Sequence, residues 1–138
     1  MLHIKKVKPL FTSIVTTGDK FEKDYVENGF VTANKGDLKL WQKVVAVGSS
    51  VRDIKVGDMV MINPSHYAVK KYDKNSIQND LDNNPTLSFK FNWIYIDTEK
   101  GEQVPHLLLN DRDIDFVFEG EEKEEVVVIP DKPKIILS

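Results

Sequence analysis

Leu87-Ser88-Phe89-Lys90-Phe91-Asn92-Trp93-Ile94-Tyr95 sets apolar residues at 87, 89, 91, 93 and 95 against polar ones at 88, 90 and 92. A period of two is the pattern of a half-buried strand, because successive side chains leave opposite faces. The stretch therefore reads as one strand whose row Phe89, Phe91, Trp93, Tyr95 faces a core. Other short apolar blocks lie on both sides of it. Leu10 to Thr16 precedes a Gly18-Asp19 turn, and Lys43-Val44-Val45-Ala46-Val47 is closed by Gly48-Ser49-Ser50. Asp58-Met59-Val60-Met61-Ile62 ends at Asn63-Pro64. After a turn at Thr98-Glu99-Lys100-Gly101 come His106-Leu107-Leu108-Leu109 and Ile114-Asp115-Phe116-Val117-Phe118. Few stretches carry the 3.6-residue period of a helix. Short strands at this spacing, separated by Gly, Pro and Asn turns, predict an all-β fold, a small barrel or sandwich.

Composition bounds the function. The 138 residues suit one domain, and 41% hydrophobic residues can fill its core. Nineteen Lys and Arg against twenty-two Asp and Glu leave a net charge of −3. That balance argues against a nucleic-acid binder, whose phosphate contacts need a basic face. With no cysteine, disulfides, thiolate metal sites and a cysteine nucleophile are all excluded. No apolar run approaches the ~20 residues of a bilayer-spanning helix, so no membrane partner is expected. Met1 to Lys8 lacks the apolar core of a signal peptide, which predicts a cytoplasmic protein.

No residue pattern points to catalysis, to a metal or to a cofactor. His3, His66 and His106 are scattered without ligand spacing and read as surface or edge-strand residues. Asp111, Asp113 and Asp115 alternate like a calcium loop, but Phe116 stands where that loop needs glycine. They read instead as a solvated face beside a turn. Neither a nucleophile elbow nor a phosphate-cradling glycine loop occurs. The chain is expected not to be an enzyme.

Three features point to partners. Asp19 to Leu40 is polar and charged around an apolar island, Gly29-Phe30-Val31. The island fits either an extended anchor that docks in a partner's groove or a short strand on its own barrel. Trp41, entering the next strand, fits a core plug or an interface anchor. Beyond the acidic run Glu119 to Glu125, Val126-Val127-Val128-Ile129 and Ile135-Ile136-Leu137 flank Pro130 and Pro133. Residues 121–138 thus read as a C-terminal arm, paired with a neighbouring subunit or with its own barrel. Residues 1–120 read as the barrel, with an Asn- and Asp-rich insertion over about 64–100.

The order of these blocks resembles the chaperonin-10 family, the GroES-type co-chaperonins. Val7-Lys8-Pro9-Leu10-Phe11 looks like the family's opening, and Lys43-Val44-Val45-Ala46-Val47-Gly48 its central block. Val56-Gly57-Asp58-Met59-Val60 is similar to its V-G-D-x-V turn and strand, and His106 to Ile114 to its closing strand. The resemblance implies a GroES-like β-barrel with a long loop after the first strand, here followed by a β insertion and the extended arm. It implies a homo-oligomer, a ring of seven copies joined through their terminal strands, that caps a large chaperonin. It also implies that Gly29, Phe30, Val31 and Thr32 form the docking loop, with Thr32 where the family has a third apolar residue. The insertion and the arm have no family counterpart. They favour a second expectation: a virion-located auxiliary or decoration protein that binds capsid proteins of a bacteriophage.

Overall fold

The computed structural model describes residues 2–23, 25–27, 30–32, 35–71 and 86–123. The fold is all-β. Its strands are β1 Ser13–Thr17, β2 Tyr25–Glu27, β3 Phe30–Thr32, β4 Trp41–Val47, β5 Met59–Ile62, β6 Ala68–Lys71, β7 Thr86–Phe89, β8 Trp93–Asp97, β9 Gln103–Asn110 and β10 Ile114–Phe118. Two short 3₁₀ turns, Pro64–Tyr67 and Asp111–Asp113, complete the described elements.

Six strands form one antiparallel sheet in the order β10-β5-β4-β1-β9-β8. Strand β4 changes partner along its length. Trp41, Gln42 and Lys43 pair with Met61, Val60 and Met59 of β5, whereas Val44, Ala46 and Val47 pair with Thr16, Val15 and Ile14 of β1. Val45 is the extra residue between Val44 and Ala46, a bulge that lets one strand serve two directions of sheet. Alternation then sorts the side chains. Val44 and Val60 are fully buried with Ile14, and Val47, Val51, Ile54 and Ile114 pack on that cluster. Each such aliphatic side chain contributes on the order of 2 kcal/mol by leaving water.

Turn chemistry follows the sequence closely. In Lys55-Val56-Gly57-Asp58 the Asp58 N–H donates to the Lys55 carbonyl at 3.1 Å, and Gly57 holds φ 96°. A third turn residue with positive φ is the reason for glycine there. The Asp58 carboxylate accepts from the Lys55 N–H at 2.8 Å and locks the turn.

The expectation of one strand from Leu87 to Tyr95 is overturned. Strand β7 ends at Phe89 and pairs only with β6, while β8 begins at Trp93 and pairs with β9. Between them Phe91 leaves the pleat and sinks beside the Tyr67 ring, with centroids 5.0 Å apart. Of the aromatic row, Phe91 alone is buried; Trp93 is half-buried, and Phe89 and Tyr95 are exposed.

The chain comprises two compact units, Met1–Asp19 with Leu40–Glu119, and Lys20–Lys39 with the chain from Gly120 onward. The first holds the six-stranded sheet and the hairpin β6–β7; the second holds the ribbon β2–β3.

Gly48 sits where a side chain has no room: a Cβ there would collide with the backbone of Leu10 and Phe11. Gly48→Ala should therefore lower stability by about 2–3 kcal/mol, the scale of overpacking a rigid site. Urea unfolding followed by tryptophan fluorescence measures this, and a change below about 0.5 kcal/mol, ordinary for a surface site, would contradict it.

Candidate functional site

The partner-binding island expected at Gly29 to Thr32 lies partly in β3. Tyr25, Val26 and Glu27 pair with Thr32, Val31 and Phe30 in a two-stranded ribbon. Gly29 itself lies outside the described residues. Farther along the ribbon, Lys20 bridges Leu38, the Phe21 N–H donates to the Asp37 carbonyl at 2.8 Å, and the Gly36 N–H donates to the Phe21 carbonyl at 2.9 Å. Gly36 takes φ 87°, a value suited to glycine. The Lys39 ammonium stands 5.7 Å from the Phe21 ring centroid and 2.9 Å from a Glu122 oxygen. The segment that composition marks as a polar loop is thus a ribbon with its own backbone pairing. Phe30 and Val31 pair with β2 rather than with any strand of the main sheet.

The chain leaves the sheet at Asp19 and re-enters it at Leu40, and a buried polar clamp fixes the two points. The Gln42 side chain is 1% exposed. Its Oε1 accepts from the Thr17 hydroxyl at 2.7 Å and the Asp19 N–H at 3.0 Å, and its Nε2 donates to the Asp19 carbonyl at 2.9 Å. Thr17 Oγ1 in turn accepts from the Lys43 N–H at 3.0 Å. The carboxamide thereby replaces a missing backbone rung between β1 and β4. Trp41, one residue earlier, is half-buried opposite Met61 and faces away from Gln42.

A second buried polar group anchors the start of the insertion. Asp113, in the turn between β9 and β10, is 2% exposed. Its carboxylate accepts from the Tyr67 hydroxyl at 2.7 Å, from the Asn110 N–H at 3.0 Å and, at 2.7 Å, from His66 Nδ1, which must carry the proton toward an ionised carboxylate. Burial alone would raise the Asp113 carboxyl. Hydrogen bonds from Tyr67, Asn110 and His66, and the charge of His66, outweigh it and hold the group below the ordinary carboxylate range. Burial, then the bond to Asp113, pushes the Tyr67 hydroxyl well above its usual value. Tyr67 is consequently a fixed donor rather than a nucleophile. Around it, the Lys90 N–H donates to the Tyr67 carbonyl at 2.8 Å, and Asn63 caps the Pro64–Tyr67 turn through Ser65.

This overturns the reading of Asp113 as part of a solvated face: the turn aims its carboxylate inward, whereas Asp115 is exposed. His66 is likewise a bonded partner of a buried carboxylate. His66 is exposed, as its reading as a surface residue expects, but its bond to Asp113 and the burial of Asp113 were not foreseen, although Asn110-Asp111-Arg112-Asp113 has the spacing of a capping box, which the structure forms. His3 contacts Asp97 at 3.0 Å, and His106 contacts the Val104 carbonyl. No group of three metal-ligating side chains occurs among the described residues. The arm residues Val126, Val127, Val128, Ile129, Ile135, Ile136 and Leu137 lie outside the described residues. No helix is long and apolar enough to cross a membrane among the described residues. Comparison with protein-family models and with curated proteins found no match.

The depressed Asp113 acidity has a definite sign. Its stabilisation is fully present above the unfolded-state value, about pH 4, and is lost as pH falls through the lower folded-state value. Asp113→Asn should cost about 3 kcal/mol at pH 7 by breaking a buried hydrogen-bonded charge, and should flatten the fall in stability below about pH 4. Urea unfolding from pH 7 to pH 2.5 reads both; parallel curves for wild type and variant would contradict the assignment.

Proposed function

We propose that this chain is a non-enzymatic assembly protein of the co-chaperonin type, a homo-oligomer that caps a large chaperonin through the ribbon around Phe30 and Val31. The observation that carries this reading is the ribbon. It is inserted between β1 and β4, where the resembled family carries its docking loop, and it forms its own paired strands in a compact unit other than the one that holds the six-stranded sheet. The Gln42 clamp supports the reading by holding the points where the chain leaves and rejoins the sheet. Further support comes from the V-G-D turn at Gly57 and from β1, which lies inside the sheet between β4 and β9. In this reading the ribbon carries no chemistry. It contributes apolar contact through Phe30 and Val31, and a ring multiplies weak single contacts into useful avidity. Charged neighbours such as Glu27 and Lys35 keep the segment soluble before docking.

Phe30→Ala combined with Val31→Ala should remove chaperonin binding, by about a hundredfold or more once avidity is lost, while far-UV circular dichroism and the urea midpoint of the sheet stay unchanged. Co-sedimentation with the chaperonin of the host cell, with nucleotide present, measures the loss. Equal binding by wild type and the double variant would overturn the reading.

A further inference from the structure

The six-stranded sheet has two ends, and the chain treats them differently. At one end β8 is covered by the N-terminal segment. Ile4 bridges Ile96, the Asp97 N–H donates to the Ile4 carbonyl at 2.6 Å, and His3 Nδ1 lies 3.0 Å from the Asp97 carboxylate. At the other end β10 pairs with β5 on its inner side, and no described strand pairs with its outer side. Edge strands are ordinarily guarded by Lys, Pro or a bulge. The bulge of β10 falls at its start, between Ile114 and Phe116, and leaves Phe116-Val117-Phe118 plain and apolar.

Both faces of this edge are apolar. Phe116 and Phe118 stand on one face, opposite Met61 and Met59, with their rings edge to face and 6.0 Å apart. Val117 stands on the other face, opposite the fully buried Val60 at the margin of the core. Phe116 and Val117 are nevertheless 51% and 41% exposed. A strand laid along the edge therefore meets apolar neighbours on each of its own faces. Charge limits what that strand can be. The exposed Asp115 and Glu119 bracket the apolar run, and neither makes an ion pair among the described residues. Asp115 only accepts from the Asn63 side chain, at 3.3 Å. A second copy of β10, paired antiparallel about Val117, would set Asp115 against Glu119 at both ends, and like charges directly opposite are destabilising. Cations at those two places are attracted instead.

We propose that the outer edge of β10 takes up an extended segment of another protein as an added strand, and that this segment carries successive apolar residues between two Lys or Arg. Main-chain hydrogen bonds to the free edge supply affinity, and the side chains on its two faces supply selection. The middle apolar residue packs beside Val117, its two neighbours beside Phe116 and Phe118, and the basic residues lie by Asp115 and Glu119. All of these β10 residues belong to the unit that holds the six-stranded sheet. The contact goes beyond the proposed function. It uses neither the ribbon nor self-assembly, so either can fail without the other.

Fluorescence anisotropy of the full chain with the labelled peptide Ser-Lys-Val-Ile-Val-Lys-Ser tests it. The peptide should bind saturably, with a dissociation constant that rises at least about fivefold between about 50 and 500 mM salt, since exposed charge pairs are screened. The same peptide with Glu in place of both Lys should bind at least about tenfold more weakly. Glu119→Lys should narrow that difference; the residue is exposed, so circular dichroism should remain native. Methylating alternate backbone nitrogens of the Lys peptide reads strand addition itself. The set that faces β10 should abolish binding, and the set that faces away should leave it. No saturable binding up to about 1 mM, the result if a second copy or the arm residues fill the edge, would overturn the proposal. Equal binding of the Lys and Glu peptides would overturn it too, as would equal binding of the two methylated peptides.

Discussion

The grip of the Gln42 side chain on the backbone of Asp19 is the constraint on which the remaining architecture turns. Strand β4 must serve β5 with its first three residues and β1 with its last four, and the handover costs backbone pairing at the corner. A buried carboxamide supplies what is missing: one acceptor shared by Thr17 and the Asp19 N–H, one donor for the Asp19 carbonyl. Left unsatisfied, each of those buried groups would cost about 1–3 kcal/mol. The core of Ile14, Val44 and Val60 lies on the sheet that this clamp closes, and the ribbon is the segment inserted between its ends.

Much of this was legible in the sequence, for reasons that are themselves physical. The apolar blocks at 43–47 and 58–62 became strands, because burial on a pleated face selects those residues. Gly57 and Gly101 marked turns through their positive φ. Other features were legible but unread. Asn28-Gly29 stands between β2 and β3, and that dipeptide is a strong local signal for a hairpin. What could not be read was long-range. Leu87 to Trp93 alternates without interruption, yet Phe91 is drawn inward by Tyr67, twenty-four residues earlier, and the run splits between two sheets. Asp113 looks like its neighbours Asp111 and Asp115; beyond its local bond from the Asn110 N–H, the approach of His66 and Tyr67 makes its burial tolerable.

The two polar clamps divide the labour of the molecule. Gln42 fixes the roots of the ribbon and Asp113 fixes the root of the insertion, and each additional segment begins at a buried, fully bonded group. Exposed apolar side chains occur at Leu10 and Phe11, at Val56, on β8 and β9, on β10 and on the hairpin β6–β7.

Native mass spectrometry of the full chain, alone and mixed with the host chaperonin, tests the central claim most directly. The account predicts a closed oligomer of identical copies that transfers intact onto a chaperonin ring when nucleotide is bound. A chain that stays monomeric at micromolar concentration and forms no complex with the chaperonin would contradict it.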